Sequence, residues 1–345
     1  MQSVKFFFQI PVLLLLLVLS IIGSAFIGAY QASVTEIGQA IAASLGGEQN
    51  PTAFLILHIR LPRILLAALV GAGLSIAGAA IQGLFRNPLA EPSLIGITSG
   101  AMLFAVLSIV SLGTVLASVS AVFQQASVAI FSFVGGLLTT YLVYFLSSRN
   151  GRTNVMTMLL AGIAITAFSA AITGIFIYLS DDQQLRDITF WSLGSLSAAS
   201  WTQLLILAPI IVLGTILLSQ YARALNAIML GEKEATYLGV QVEKVKSRII
   251  LITALIVGVS IAMSGIIGFV GLVIPHFLRL IKGTDYRYLL RASALLGAVF
   301  LMGTDTLART LIAPAELPIG ILTAMVGAPF FLWLLLRTQR KTFAL

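Results

Sequence analysis

Cysteine is absent from this 345-residue chain, and charged side chains make up only 9% of it. The first absence excludes disulfides, thiol catalysis and cysteine-ligated metals. The scarcity of charge is accompanied by 59% hydrophobic residues, whereas soluble domains have about 25% charged and roughly 45–50% apolar residues. So few charges cannot cover so apolar a core in water. The composition therefore predicts a polytopic membrane protein.

Catalytic and ion-relay motifs are also scarce. No G-x-x-x-x-G-K-S/T phosphate loop occurs, so the chain cannot hydrolyse ATP by that route. The two histidines, His58 and His276, each stand alone, and we expect no metal site and no catalytic residue. Most predicted spans lack ionisable side chains in their central parts, which argues against proton- or sodium-coupled transport. These absences predict a transport path whose energy comes from another subunit.

Apolar runs separated by turn or charge signals predict ten membrane spans. The first is as long as a bilayer crossing requires, about 20 residues, so we expect an uncleaved span rather than a signal peptide. The two shortest spans flank Ser264 and Gly265 and are candidates for broken or re-entrant helices. The predicted spans are 10–29, 61–85, 93–116, 126–147, 155–179, 202–220, 249–264, 266–281, 289–312 and 317–336.

Lysine and arginine are unevenly divided between the two sides that these spans define. Sixteen of the 20 fall on the side of both termini, and the other four are Arg60, Arg63, Arg186 and Arg309. The positive-inside rule then places both termini in the cytoplasm. The net charge of +8 is thereby explained by topology rather than by nucleic-acid binding. Spans 2–5 and 7–10 begin on opposite sides, which suggests an inverted repeat.

A polar, proline-bracketed break at 82–101 separates spans 2 and 3. Pro88 and Pro92 lack amide donors and disfavour helix at the residues that precede them. Non-helical backbone at membrane depth is tolerated only where protein buries it or where it lines a watery cavity. The break is therefore predicted to be part of a transport path. An ordinary inter-helix turn is the alternative that local composition leaves open.

The eleven residues 86–96, RNPLAEPSLIG, closely resemble the hallmark loop of FecCD-type permeases, subunits of bacterial ABC importers for iron–siderophores, haem and cobalamin. Segments 268–279, 283–287 and 327–331 resemble further motifs of that family, so the resemblance runs from about Arg60 to Arg337. It implies an all-α integral membrane fold like that of cobalamin-importer permeases. It also implies a single permease domain over residues 1–345, in a bacterial cytoplasmic membrane.

The resemblance implies a set of partners as well. They are a second permease chain, identical or paralogous, two cytosolic ABC ATPase subunits, an extracytoplasmic substrate-binding protein and membrane lipid. ATP and Mg would bind the ATPase subunits, and no cofactor would bind this chain. The permease itself would therefore not be an enzyme.

The longest predicted cytoplasmic segment, 221–248, contains a helix-forming stretch between two glycines. Gly231 suits the beginning of a helix, and Gly239 suits a left-handed C-terminal cap. Such a helix in a loop is commonly only surface. Its G-x-x-x-A-x-x-L-G pattern, however, resembles the coupling helix that seats in a groove of the ATPase. The resemblance assigns ATPase coupling to Gly231, Glu232, Ala235, Leu238 and Gly239.

Three of the four arginines on the side opposite the termini, Arg60, Arg63 and Arg309, form a candidate docking site. They could simply snorkel at the interface, and Arg309 could pair with Asp305 four residues earlier. In the family, R-x-P-R-like and D-x-x-x-R motifs receive acidic side chains of the binding protein. The resemblance therefore assigns binding-protein docking to Arg60, Arg63 and Arg309.

The family also has two constrictions along its translocation path. Asn87 and Leu89 of the hallmark loop match one of them. At the other, cobalamin-type relatives carry a hydroxyl-bearing pair, where this chain has Val155 and Met156. Most of the family transports iron(III)–siderophore chelates, so the resemblance predicts an iron(III)–siderophore as the cargo. A haem or cobalamin permease is the alternative, and an ion-coupled secondary transporter and a scaffold or sensor protein are rivals from other classes.

Overall fold

Helices account for nearly all of the computed structural model, which describes residues 2–28, 50–112 and 121–342. The only strands among the described residues form a hairpin, β1 (Ser148–Arg149) and β2 (Arg152–Thr153). The helices are α1 (Gln2–Phe26), α2 (Pro51–Leu84), α3 (Ile97–Leu107), α4 (Ala121–Ser147), α5 (Val155–Tyr178), α6 (Asp182–Leu193), α7 (Trp201–Gln220), α8 (Ala222–Leu230), α9 (Glu232–Tyr237), α10 (Val242–Ser264), α11 (Val270–Lys282), α12 (Tyr286–Thr310) and α13 (Ile319–Thr342). The all-α membrane fold that the sequence predicts is confirmed.

Each of the ten predicted spans contains a helix. Among the described residues, six helices are long and apolar enough to cross a membrane, namely α2, α4, α5, α7, α10 and α12. Shorter apolar stretches lie in α1, α3 and α13. The ends of two predicted spans, residue 29 and residues 113–116, lie outside the described residues.

Several predicted span starts differ from the structure. The helix of the span predicted to start at 61 begins at Pro51. The span predicted to start at 249 begins at Val242, because Lys246 is buried within the helix instead of marking its end in water. The span predicted to start at 266 is helical only from Val270. The residues between Ser264 and Val270 are irregular, and Phe269 has a positive φ of 68°. The break suspected beside Ser264 is therefore present.

Helix α6 is missing from the prediction. Its first turn is closed by a capping box, in which the Asp181 carboxylate accepts a hydrogen bond from the Gln184 amide at 2.8 Å. The Gln184 side chain in turn accepts one from the Asp181 amide at 3.2 Å. The D-x-x-Q spacing is a helix-start signal that can be seen in the sequence. A search for apolar runs passes over it because α6 is largely polar.

Helix α2 occupies the centre of the molecule and packs against α7, α10, α11 and α12. Two glycines of α2 make these approaches close. A Cβ on Gly71 would overlap the Gly297 carbonyl of α12, and one on Gly78 would overlap the Gly271 carbonyl of α11. Small residues at such crossings let helix backbones come together in membranes, where van der Waals packing drives helix association.

A side chain of α2 repairs a missing helical bond in α11. Pro275 has no amide hydrogen to donate to the Gly271 carbonyl four residues earlier. The Gln82 side-chain amide donates to that carbonyl at 3.3 Å and lies 3.4 Å from the Leu272 carbonyl. Gln82 is only 1% exposed. A polar residue is therefore tolerated in this apolar helix because a backbone acceptor needs its donor.

Helices α2, α3, α4 and α5 correspond, in this order, to α10, α11, α12 and α13. Contacts among these eight helices occur in equivalent pairs. Helix α2 packs on α12 and α11, and α10 packs on their counterparts α4 and α3. Helix α3 contacts α4 and α5, as α11 contacts α12 and α13. Gly162 of α5 abuts the Leu94 carbonyl, and Gly320 of α13 lies close to the Ile266 carbonyl at the equivalent break. This is the packing expected of the inverted repeat that the span directions suggest.

Candidate functional site

The two ends of the helix bundle carry different features, and we name each end by one of them. The α9 side carries α9, the hairpin and the start of α12, where the Tyr286 ring lies over Gly83 at the end of α2. The Arg63 side carries α6 and the other end of α12, where Asp305 meets Arg63.

The helix predicted between two glycines is present as α9. Gly231 has φ 142°, and a Cβ there would collide with the Glu234 carboxylate. Gly239 has φ 83°, the left-handed conformation of a C-terminal cap. The Val240 amide donates to the Ala235 carbonyl at 3.0 Å, which with a second bond from Gly239 closes a Schellman motif. Both glycines are thus required by backbone geometry.

The side chains of α9 divide into a buried and an exposed set. Ala235 is 0% exposed and packs inside the chain's own core. Ala235 therefore faces its own chain, and its part in ATPase coupling stays a prediction. Tyr237 and Leu238 are 89% and 64% exposed. Tyr237, absent from the predicted coupling residues, is the most exposed large side chain of the helix.

Glu232, the first residue of α9, faces inward to a buried lysine. Its carboxylate oxygen lies 2.8 Å from the Lys246 ammonium of α10. Glu243 lies 3.2 Å from the same ammonium, one turn earlier on α10. This ion cluster fixes the beginning of α9 on the bundle and also reaches the hairpin that precedes α5.

The start of α5 presents the second predicted constriction. The Asn154 side chain caps the helix by accepting a hydrogen bond from the Thr157 amide at 3.0 Å. Val155, the first helical residue, is half-buried against the core, whereas Met156 is 66% exposed. The two residues therefore face different environments, and Met156 has the freer side chain.

The hallmark loop folds into tight turns directly after α2. Arg86 has a positive φ of 50°, and the Asn87 amide donates to the Gln82 carbonyl at 3.1 Å. The Asn87 side-chain oxygen accepts from the Leu89 amide at 2.9 Å. This bond satisfies a backbone donor of the non-helical segment. Asn87 is exposed and Leu89 half-buried.

A carboxyl group sits deeper in the same loop. The Ser93 hydroxyl donates to the Glu91 carboxylate at 3.3 Å. Burial raises the pKa of Glu91, and hydrogen bonds from Ser93 and from the Phe269 backbone offset part of that rise. Glu91 thereby links the hallmark loop to the broken segment that precedes α11.

The three predicted docking arginines are buried on the Arg63 side. Arg60, Arg63 and Arg309 are only 5%, 7% and 6% exposed. They do not snorkel, and their partners lie within the chain. Docking by these residues stays a prediction.

Arg63 is the centre of this group. Its Nε donates to Oδ1 of Asp305 in α12 at 2.9 Å and to Oδ2 at 3.1 Å, and its Nη2 lies 2.9 Å from Oδ1. A third nitrogen, Nη1, donates to Glu316 at 2.8 Å. Arg309 approaches the other Asp305 oxygen at 3.2 Å, so the alternative pairing with Asp305 is present. Arg60 donates to the Ala25 carbonyl at 2.9 Å, which ties α1 to α2.

Metal-binding chemistry is not evident in the part of the chain that the structure describes. That part contains no group of three or more His, Asp or Glu side chains placed to hold a metal ion. The His276 ring instead makes an edge contact with Phe330, with 6.1 Å between ring centroids.

The chain is similar to a described family and to several known permeases. Residues 14–337 match the FecCD transport family. The hemin transport system permease protein HmuU of Yersinia pestis is 45% identical over 332 residues, 95% of each chain. The cobalamin import system permease protein BtuC of Halobacterium salinarum is 40% identical over 277 residues, 80% of this chain and 72% of that protein. A solved inward-facing structure of an ABC transporter assigned to the metal-chelate type has a TM-score of 0.82 and 34% identity, covering 95% and 99% of the two chains.

The buried network predicts that Arg63 is needed for stability. Arg63→Met would leave Glu316 without its arginine and Asp305 with only the poorly aligned Arg309. Breaking a buried pair by removing one partner costs about 3–5 kcal/mol, so the thermal unfolding temperature of the detergent-solubilised protein should fall clearly. Arg186→Met, which removes an exposed arginine of α6, is the control and should change it little. Unchanged stability of Arg63→Met together with a lost affinity for the binding protein would contradict this role and favour docking.

Proposed function

The chain belongs to the FecCD transport family, and on this premise we propose that two permease chains form an import path across a bacterial cytoplasmic membrane. The chain is an ABC importer permease and is not itself catalytic. ATP hydrolysis lies on a partner subunit, and the permease binds no cofactor. Family membership therefore excludes the two alternatives from other classes, a secondary transporter and a scaffold or sensor protein.

The observation that carries the proposal is the exposure of apolar side chains at both ends of α9. Leu230, Tyr237 and Leu238 are 70%, 89% and 64% exposed, and they lie at and beside α9 rather than on a long apolar helix. Exposed apolar side chains at such a place mark a contact with another protein. We assign this surface to a cytosolic ATPase, with Gly231 and Gly239 fixing the helix that presents it.

The remaining predicted coupling residues support that helix from inside. Glu232 anchors its first turn to Lys246, and Ala235 fills the space beneath it. In this assignment both act on the ATPase contact through the position of α9. The exposed side chains of Leu230, Tyr237 and Leu238 would make the contact itself.

The distribution of basic residues supports a cytoplasmic location for the α9 side. Arg149 and Arg152 of the hairpin and Lys244 of α10 are exposed there. Arg186, on α6, is exposed at the opposite end. By the positive-inside rule both termini are then cytoplasmic.

Helix α5 supports the proposal of a second permease chain. It is the least covered by its own chain among the six long apolar helices, with 17% of its most apolar stretch buried. Its exposed side chains include Met156, Leu160 and Ile163. We assign this face to the interface and path between two chains. Val155 and Met156 would form one constriction and Asn87 and Leu89 the other.

Docking of an extracytoplasmic binding protein is assigned to the Arg63 side. The three candidate arginines lie there together, beside the partly exposed carboxylate of Glu316. Their charge is largely compensated within the chain. An acidic group of the binding protein would therefore have to compete with Asp305 and Glu316 for them.

For the cargo, the relatives favour haem or cobalamin over the iron(III)–siderophore predicted from the sequence. One similar permease transports hemin and another imports cobalamin. Both cargoes are metal tetrapyrroles, flat macrocycles whose metal is already coordinated. We propose a metal tetrapyrrole as substrate, and haemin first, because the hemin permease covers 95% of this chain.

A reconstituted importer distinguishes these cargoes. The permease, its ATPase and its binding protein in proteoliposomes should take up haemin when ATP is supplied. Cobalamin and a ferric hydroxamate siderophore are the comparison cargoes, and haemin without ATP is the control. Uptake of the siderophore with no uptake of either tetrapyrrole would restore the original prediction.

The proposed ATPase contact predicts a strong effect of truncating its apolar side chains. Tyr237→Ala with Leu238→Ala should weaken ATPase binding by about 2 kcal/mol or more, the usual size of an interface hot spot, which is roughly thirtyfold in Kd. Leu179→Ala removes a similarly exposed leucine beyond the far end of α5 and serves as the control. Binding measured in detergent that matched the wild type in the double variant would contradict the contact.

The proposed constriction predicts that the size of Leu89 matters. Leu89→Ala removes apolar bulk without touching Pro88 or the Asn87 hydrogen bond, so the fold should persist. Proteoliposomes that carry the resting transporter should then leak cargo, or hydrolyse more ATP for each cargo taken up. Leu205→Ala, on the exposed face of α7, should leave both quantities unchanged. Tight coupling in Leu89→Ala would show that the loop only turns the chain.

A further inference from the structure

A single buried ammonium group joins three elements on the α9 side. Lys246 of α10 is 1% exposed, one of the largest fully buried side chains in the described structure. Its nitrogen lies 2.8 Å from Glu232 of α9 and 3.2 Å from Glu243 of α10. It also donates to the Thr153 carbonyl of β2 at 3.0 Å. The three acceptors therefore lie on three different elements.

These contacts use the full donor capacity of the lysine. An ammonium group has three N–H donors and no acceptor, and Lys246 has three acceptors. A buried charge is costly unless it is paired and hydrogen-bonded. The ammonium is therefore held at one position, and elements bound to it are held relative to one another.

A second contact strengthens the link to the hairpin. The other carboxylate oxygen of Glu243 accepts a hydrogen bond from the Thr153 amide at 2.8 Å. Thr153 is thus gripped at both its amide and its carbonyl, by Glu243 and Lys246. A two-residue strand is too short to be stable alone, so this grip decides where the hairpin lies.

The hairpin in turn sets the start of α5. The Asn154 amide donates to the Ser147 carbonyl at 3.0 Å, which closes the hairpin. The Asn154 side chain caps α5 through the Thr157 amide. Met156, the exposed residue of the proposed constriction, follows within two residues. The path from Glu232 through Lys246 to Met156 thus runs only through ion pairs, hydrogen bonds and adjacent residues.

We propose that Lys246 is a positioning residue that makes the start of α5 follow the movement of α9. This inference rests on the proposed function, in which the ATPase moves α9. A displacement of α9 would move Glu232, and the lysine would carry the hairpin and Met156 with it. Loss of the lysine leaves both carboxylates facing each other, so α9 and the hairpin would separate. ATP would then be hydrolysed without moving the constriction.

A purely structural role is the alternative, since a buried cluster can simply hold a fold together. The two roles differ in their response to nucleotide. A structural staple protects the hairpin equally in every state. If Lys246 transmits movement, the hydrogen-exchange protection of the hairpin changes when nucleotide binds the ATPase. Substituting Lys246 then removes this change.

The test uses the complete transporter and hydrogen–deuterium exchange of residues 148–158, with and without a trapped ATP analogue. In the wild type, exchange in this segment should differ between the two states. In Lys246→Met the difference should disappear, and uptake should fall by roughly tenfold, a coupling of ordinary size. The rate of ATP hydrolysis in Lys246→Met should stay within about twofold of the wild-type rate.

Two further variants keep the test decisive. Lys244→Met alters an exposed lysine on the same helix and should retain the nucleotide response. Glu232→Gln removes the charge from the link to α9, which weakens only that link, and leaves the contacts of Thr153 with Lys246 and Glu243 unchanged. Without nucleotide, its hairpin should therefore be as protected as in the wild type. Its nucleotide response should nevertheless be reduced. This variant replaces Lys246→Met if the latter does not fold.

The outcomes separate the two proposals. A nucleotide response that persists in Glu232→Gln and Lys246→Met, with normal uptake, overturns the transmitting role and leaves the importer function intact. Equal loss of protection in both nucleotide states shows a structural staple only. A wild-type permease that does not bind the ATPase overturns the proposed function itself.

Discussion

The structure depends on one constraint, that a backbone donor or acceptor inside a membrane protein has no water to bond with. Each break in a helix must therefore be satisfied by the chain itself. Gln82 supplies the donor that Pro275 cannot give to Gly271, and Asn87 accepts the amide of Leu89. Gln82 lies in apolar surroundings because the neighbouring backbone lacks a hydrogen-bond donor. The breaks, in turn, are where the path is proposed to open and close.

Features that depend on local composition were predictable, and features that depend on distant partners were not. Apolar runs located a helix in each of the ten spans, and two glycines located α9, because each signal lies within a few residues. The burial of Lys246 and Arg63 could not be seen in the same way. Their carboxylate partners Glu232 and Asp305 lie 14 and 242 positions away, and a charged residue read alone suggests a surface.

The two ends of the bundle use the same chemistry for different purposes. On the Arg63 side, a planar guanidinium contacts Asp305 through two of its nitrogens and Glu316 through the third, and its rigid plane fixes orientation as well as distance. On the α9 side, a lysine ammonium contacts three elements with one bond each, as a point charge on a flexible stem. The first arrangement suits a rigid clamp between α2 and α12. The second suits a joint that can follow a moving helix.

The glycine contacts of α2 limit how the transporter can move. A carbonyl seated against a glycine leaves no space for any other side chain, so sliding α2 along α12 or α11 by one residue would bring Val or Ala toward that contact. These contacts therefore exclude a ratchet-like movement of α2 past α11 or α12. In the proposed importer, alternating access would then come from rocking these helices as a unit against the second chain, with the deformation confined to peripheral segments such as α5. In that motion the central helices α2, α11 and α12 would keep their positions relative to one another.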